Sequence, residues 1–224
     1  MAASISAPVN LLACAGTARC YDPAAHDGPV WGINNCWTQH KDVAKARPDL
    51  IIAMDDLQRD WRDGHRKYVN SIVGAGCPVL TATAYAKWSA TKYYPLAEVV
   101  KTIWGEDHQT ASKVLANTCG YALALAIVRN RNPIRLFGFE FVNPDKPWNL
   151  YRAKRLVKKH QPDWFRFYQK PMFRNVTEPG VEGLLWLLGY AAARGIDVWI
   201  PETSTLLNLD RDDFFYGYQE QPKL

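Results

Sequence analysis

Six short polar groups each stand directly after an apolar run: Ala15-Gly16-Thr17, Asn34-Asn35, Asp55-Asp56, Thr81–Thr83, Glu140 and Glu202–Thr205. The residue types are those that handle a phosphorylated ligand. A small turn such as Ala15-Gly16-Thr17 lets the backbone N–H groups approach a phosphate, although a plain tight turn has the same sequence. Asn34 and Asn35 can donate and accept toward a ribose or phosphate, or cap a turn. Asp55 follows a fully apolar run, D-L-I-I-A-M. It could hold a divalent metal or a sugar hydroxyl, serve as a base, or cap the next helix. Asn117-Thr118 precede a small-residue helical stretch, where side-chain donors and helix N–H groups suit an anion, provided the helix does not already begin at Ser112. Glu182 falls in the first turn predicted for a late apolar helix, a place the dipole alone favours for an acid. His160 could be an acid or base, or an ordinary surface histidine. G-x-G-x-x-G, G-K-[ST], G-x-S-x-G, H-E-x-x-H and Cys/His zinc spacings are all absent, which argues against dinucleotide, P-loop, lipase, protease and zinc-deaminase chemistry.

The elements that must position these residues alternate. Strands are predicted at Val9–Ala15, Pro29–Asn34, Asp49–Met54, Pro78–Thr83, Ile134–Phe139 and Ile196–Ile200. Helices are predicted at Leu57–Val73, Pro95–Trp104, Asn117–Arg131 and Gly180–Arg194. Such alternation implies one Rossmann-like α/β domain over the 224 residues, a mainly parallel sheet with helices on both faces. Ligands then bind outside the carboxyl ends of the strands, where the polar groups above converge.

Charge is concentrated in one place. Between Asp145 and Arg174 nine basic residues meet two acids, a net +7 against −2 for the rest of the chain. Seven aromatics are interleaved with them. We read this as a basic, aromatic helical excursion inserted at about 141–178, before the last helix–strand unit. Lys and Arg neutralise phosphates and aromatic faces stack on bases, so Trp148, Arg152, Lys154, Arg155, Lys158, Lys159 and Trp164 form a candidate nucleic-acid surface. A solvated amphipathic helix covering a groove would show the same pattern. Hydrophobic residues make up 48% of the chain and charged ones 22%, in the range of a folded protein. No apolar run approaches the roughly 20 residues of a membrane span, and Met1–Asn10 lacks the pattern of a secretion signal. Five cysteines with no C-x-x-C pair are expected to be reduced thiols of a cytoplasmic protein.

The succession W-G-I-N-N-C-W, P-D-L-I-I-A-M-D-D, Y-Y-P-L-A-E-V-V, N-T-C-G-Y-A-L-A-L-A-I, I-R-L-F-G-F-E and G-I-D-V-W-I-P-E-T-S-T-L-L spans roughly Val9 to Leu207. In order and spacing it resembles phage-encoded Rossmann-like transferases. It is also similar to sialyltransferase-like glycosyltransferases and 6-hydroxymethylpterin diphosphokinase-like proteins. Two positions depart from the pattern: Ala15-Gly16-Thr17 replaces the G-P-S of many relatives, and Glu140 replaces an Asp. The resemblance implies a nucleotide donor held by Gly16, Thr17, Asn34, Asn35, Asn117, Thr118 and Ser204. Asp55, Glu140 and Glu182 become candidate catalytic acids or bases, with Asp55 also a possible ligand for Mg or Mn. Read with the basic excursion, it points to a glycosyltransferase that uses a nucleotide sugar, a UDP-sugar above others. Its acceptor would be hydroxymethylated pyrimidines of phage DNA in the cytoplasm of an infected bacterium. An ATP/magnesium diphosphokinase acting on a hydroxymethyl group, and a non-enzymatic nucleotide or nucleic-acid binding protein, remain alternatives on the same fold.

Overall fold

The computed structural model describes residues 7–13, 18, 20–39, 47–139, 174–201, 204 and 206. Among them are seven strands: β1 (Val9–Leu12), β2 (Val30–Ile33), β3 (Leu50–Ile52), β4 (Val79–Thr81), β5 (Thr91–Tyr93), β6 (Ile134–Phe137) and β7 (Val198–Trp199). They form one sheet in the order β5-β4-β3-β2-β1-β6-β7, and every pair is parallel. The chain begins at the centre, runs outward to β5, and crosses back to add β6 and β7 on the far side of β1. The reversal of strand order therefore lies between β1 and β6.

The helices are α1 (Cys36–Gln39), α2 (Leu57–Arg62), α3 (Arg66–Val73), α4 (Leu96–Trp104), α5 (His108–Val114), α6 (Thr118–Val128) and α7 (Arg174–Ala193). Both faces of the sheet are covered, and the alternation of strand side chains shows how. Val9, Leu11, Trp31, Ile33, Ile52, Ile134 and Leu136 pack with buried residues of α4, α5, α6 and α7. Their neighbours Leu12, Val30, Ile51 and Phe137 point the other way, where Cys36 of α1, Leu57 of α2, and Val69 and Ile72 of α3 enclose them. Helix α6 is apolar on all sides because it is buried on all sides, Gly120 and every residue from Ala122 to Ile127 included. Its small side chains let it lie close on β1, β2 and β3.

Several boundaries differ from the sequence expectation. The helix expected over Leu57–Val73 is two, because Gly64 turns the chain at φ +93 between α2 and α3. Strand β5, only three residues long and exposed at Lys92 and Tyr93, was too short to show alternation. Helix α5 also goes beyond the expectation, started by Asp107, whose carboxylate accepts from the Thr110 N–H at 2.9 Å. The last helix does not begin at Gly180 but at Arg174, so the expected excursion ends earlier than 178. Pro179-Gly180 therefore lies inside α7. The rest of the excursion lies outside the described residues.

Helix α7 approaches the end of α5 closely. A Cβ on Gly183 would collide with the Val114 carbonyl oxygen and fall within 2.9 Å of its carbon, both backbone atoms that cannot yield. Gly189, two turns on, is exposed with nothing near its Cβ position. Gly183→Ala should therefore destabilise the fold by about 1–3 kcal/mol through overpacking. Gly189→Ala should stabilise it by about 0.5–1 kcal/mol through helix propensity. Urea denaturation of the two variants checks the opposite signs.

Candidate active site

Because all strands are parallel, their carboxyl ends share one edge. Helix α6 leads into β6 through residues 129–133, so its C-terminus lies near the amino edge and its N-terminus at the carboxyl edge. The positive end of the α6 dipole thus stands on the same edge as Asn34 and Asp55.

Asn34 is the first residue after β2 and has φ 54, a left-handed conformation that Asn tolerates better than most residues. Its N–H extends the ladder to the Ile52 carbonyl at 2.9 Å, so the backbone is held while the side chain is turned out of the strand. Its Oδ1 is buried and has no hydrogen-bond partner among the described residues. Leaving such an acceptor unmade costs about 1–3 kcal/mol, a cost a ligand donor would remove. Asn35 serves the local turn: its carbonyl accepts from the Thr38 N–H at 3.0 Å and the Thr38 hydroxyl at 2.8 Å.

The acidic pair after β3 divides its roles. Asp56 is the cap of α2, its Oδ1 accepting from the N–H of Gln58 at 3.1 Å and of Arg59 at 3.0 Å. The Arg59 N–H above all holds its carboxyl below the usual range. Asp55 is therefore not the cap. It is exposed, and its Oδ2 accepts the Tyr68 hydroxyl of α3 at 2.6 Å. Behind them Asp60 is pushed up, by burial first and by the charge of Asp55 second. Tyr85 donates to Asp56 Oδ1 at 3.3 Å, and its phenol is pushed up by burial and then by that carboxylate.

Asn117 caps α6, with Oδ1 accepting the Gly120 N–H at 2.9 Å, so the helix begins at Thr118 and not at Ser112. The first turn is braced by Tyr94, whose hydroxyl donates to the Tyr121 carbonyl at 2.8 Å. Burial pushes the Tyr94 phenol far up, so it remains a donor at any physiological pH. Tyr94 is in turn tied by its N–H to the Thr81 carbonyl at 2.8 Å, fixing α6 against the end of β4.

Glu182 is corrected: it is the ninth residue of α7, exposed, and not in the first turn. The helix starts upstream of Pro179-Gly180. Glu182 still adjoins Gly183, which shares the Val114 carbonyl as neighbour with Gly120. That puts it beside the approach to α6. Ser204 is buried, its Oγ donating to the Phe139 carbonyl at 3.0 Å and accepting from the Leu206 N–H at 3.2 Å. It pins the segment after β7 to the end of β6. Gly16, Thr17, Glu140, His160, Trp148, Arg152, Lys154, Arg155, Lys158, Lys159 and Trp164 lie outside the described residues. Among the described residues no three His, Cys, Asp or Glu side chains gather as a metal site, so Asp55 has no assembled ligand set beside it. No described helix is long and apolar enough to cross a membrane. Tyr68, Tyr85 and Tyr94 went unread in the sequence, where each is one aromatic among many. Only the fold shows which of them meet an acid or a helix turn.

No known family model and no curated protein matches the chain. Two solved structures share its fold. The sialyltransferase CstII from Campylobacter jejuni, in complex with the substrate analogue CMP-3FNeuAc, superposes with a TM-score of 0.51 at 14% identity, covering 90% of this chain and 83% of that one. A variant of the sialyltransferase CST-II, in complex with CMP, gives 0.51 at 13% identity, covering 89% and 84%. The seven-stranded parallel sheet with its helices is thus a Rossmann-like fold of the kind seen in sialyltransferase-like glycosyltransferases.

Proposed function

We propose that the chain is a nucleotide-sugar-dependent glycosyltransferase whose donor lies across the carboxyl edge of β1, β2 and β6. The observation that carries this is Asn34: a buried, unpartnered amide oxygen in a left-handed turn, one strand from the reversal of strand order. The shared fold supports it, because both neighbours hold a cytidine nucleotide. The donor is a pyrimidine nucleotide sugar, UDP- or CMP-linked. Asn34 meets a donor group of its base or ribose, and the N-terminus of α6 faces its phosphate.

Asp55 is the base. Its Oδ2 is held by Tyr68, which leaves Oδ1 to take the proton of the acceptor hydroxyl as that oxygen bonds to the anomeric carbon. The bond from that carbon to the nucleotide phosphate breaks, its electron pair leaves on the phosphate, and the α6 dipole offsets the added charge. The acceptor is nucleic acid, phage DNA carrying hydroxymethylated pyrimidines, and the basic, aromatic stretch between Asp145 and Arg174 is the reason to infer a polyanion.

Asn34→Gly relieves the backbone and removes the amide. The fold should keep its stability while CMP or UDP binding weakens about 10-fold, measured by calorimetry. An unchanged affinity would remove Asn34 from the donor site. Asp55→Asn still accepts the Tyr68 hydroxyl, so the fold should stand while single-turnover transfer falls by at least about 10²-fold. Asp56→Asn, which still caps α2, should leave the rate near that of the parent. Replacing Lys154, Arg155, Lys158 and Lys159 by Ala should weaken DNA binding and lower its salt slope by about one for each phosphate no longer neutralised, with donor binding unchanged. A variant that binds DNA like the parent would make the acceptor a small molecule.

A further inference from the structure

An open cavity of about 490 Å³ lies between α2, the helix that Asp56 caps, and the loop from β4 to β5. Its walls are Gln58, Trp61, Arg62, Tyr85, Lys87 and Trp88, together with the backbone after Thr83. Trp61 and Trp88 meet edge to face, centroids 5.7 Å apart, and Tyr85 meets Trp88 in the same way at 5.3 Å. The loop is built rather than loose. The Thr91 hydroxyl, on a buried residue, donates toward the Trp88 carbonyl at 2.7 Å and accepts from the Tyr85 N–H at 2.9 Å. Cations crowd the aromatic wall. Lys87 Nζ stands 3.9 Å above the Trp61 ring, and the Arg66 guanidinium 5.6 Å from it. Among the described residues neither they nor Arg62 form an ion pair with a carboxylate. Asp60 and Asp63, the nearest acids along the chain, make no ion pair with these cations among the described residues, and Asp55 and Asp56 are engaged with Tyr68 and with the α2 cap.

We infer that this cavity is the acceptor subsite and takes one unstacked base of a single-stranded nucleic acid. The inference rests on the glycosyltransferase reading above and names where its acceptor sits. Position is the first argument. Adjacent strands are about 4.8 Å apart, so the end of β4 stands about 10 Å from Asn34 at the end of β2, with Asp55 at the end of β3 between them. A donor on one side, a base in the middle and an acceptor on the other is the order transfer requires. Composition is the second. Aromatic rings accept the face of any base, and flanking cations without carboxylate partners suit the phosphates on either side of it. The Gln58 amide can meet the hydrogen-bonding edge of that base. A neutral saccharide would use the rings but leave Arg62, Arg66 and Lys87 without a counterpart.

The test is fluorescence anisotropy with a labelled single-stranded thymidine oligonucleotide and the full chain, alongside separate titration of CMP and UDP. Trp61→Ala should weaken oligonucleotide binding at least about 5-fold, and Trp61→Phe, which keeps a ring, should restore most of it. Arg62→Gln with Lys87→Gln changes two exposed side chains without risk to the fold, and should lower the salt slope by about 1.4. Mononucleotide binding should be unchanged in all three. Oligonucleotide binding equal to the parent in Trp61→Ala and in the double variant would overturn the assignment. So would a parent that ignores the oligonucleotide but binds an acidic oligosaccharide through Trp61. Failure of the parent to bind CMP or UDP would count against the donor site instead, and the oligonucleotide readout would stand apart from it.

Discussion

The fold hangs on β1. It pairs with β2 on one side and β6 on the other, and it is fully buried over Val9, Asn10, Leu11 and Leu12. A polar side chain in that place is costly unless satisfied. Asn10 is satisfied: its Nδ2 donates to the Asp27 carbonyl at 3.0 Å, with those of His26 and Gly28 near, and its Oδ1 accepts from Arg135 at 3.4 Å. Arg135 also pairs with Asp27 at 2.9 Å. One amide thereby joins the turn before β2 to β6, the two strands that flank β1. The register of both neighbours, and so the height at which their carboxyl ends stand, is tied to it.

With both faces of the sheet sealed, polar chemistry has few places to go. A strand covered on both sides is apolar along its length except where a polar side chain finds its partners, as Asn10 does, so polar residues free to meet a ligand stand where a strand leaves the sheet. Asn34 and Asp55 are such residues. The buried tyrosine Tyr94 then works for the edge from behind. By holding the Tyr121 carbonyl it keeps the first turn of α6 in line with strands that α6 itself helps to bury. Core packing and site geometry are in this sense one arrangement.

How much of this could be read in advance follows from the same physics. Four-residue apolar runs closed by Gly, Asn or Asp were legible as parallel strands, and with them the edge and its residues. A helix near Asn117 was legible too, with a start at Ser112 left open, and the Asn117 cap decides between them. What escaped depended on contacts between distant residues. Asp55 and Asp56 are equivalent in sequence, and only the entry of α2 shows which one caps and which one meets Tyr68. Trp61 and Trp88 lie far apart along the chain, and nothing local marks them as two walls of one cavity. The start of the last helix escaped as well: it was expected at Gly180, whereas α7 runs through Pro179-Gly180 from Arg174.

Two residues on the carboxyl edge are held in locally costly ways. Asn34 adopts a left-handed turn and buries an acceptor without a partner, although glycine would fit that turn without either cost. Asp55 is exposed beside a carboxylate that already caps the helix, and its charge adds to the burial that pushes Asp60 up. Strained or unsatisfied positions of this kind concentrate at functional sites, and here they stand on the carboxyl edge of a framework otherwise consistent from strand pattern to helix cap.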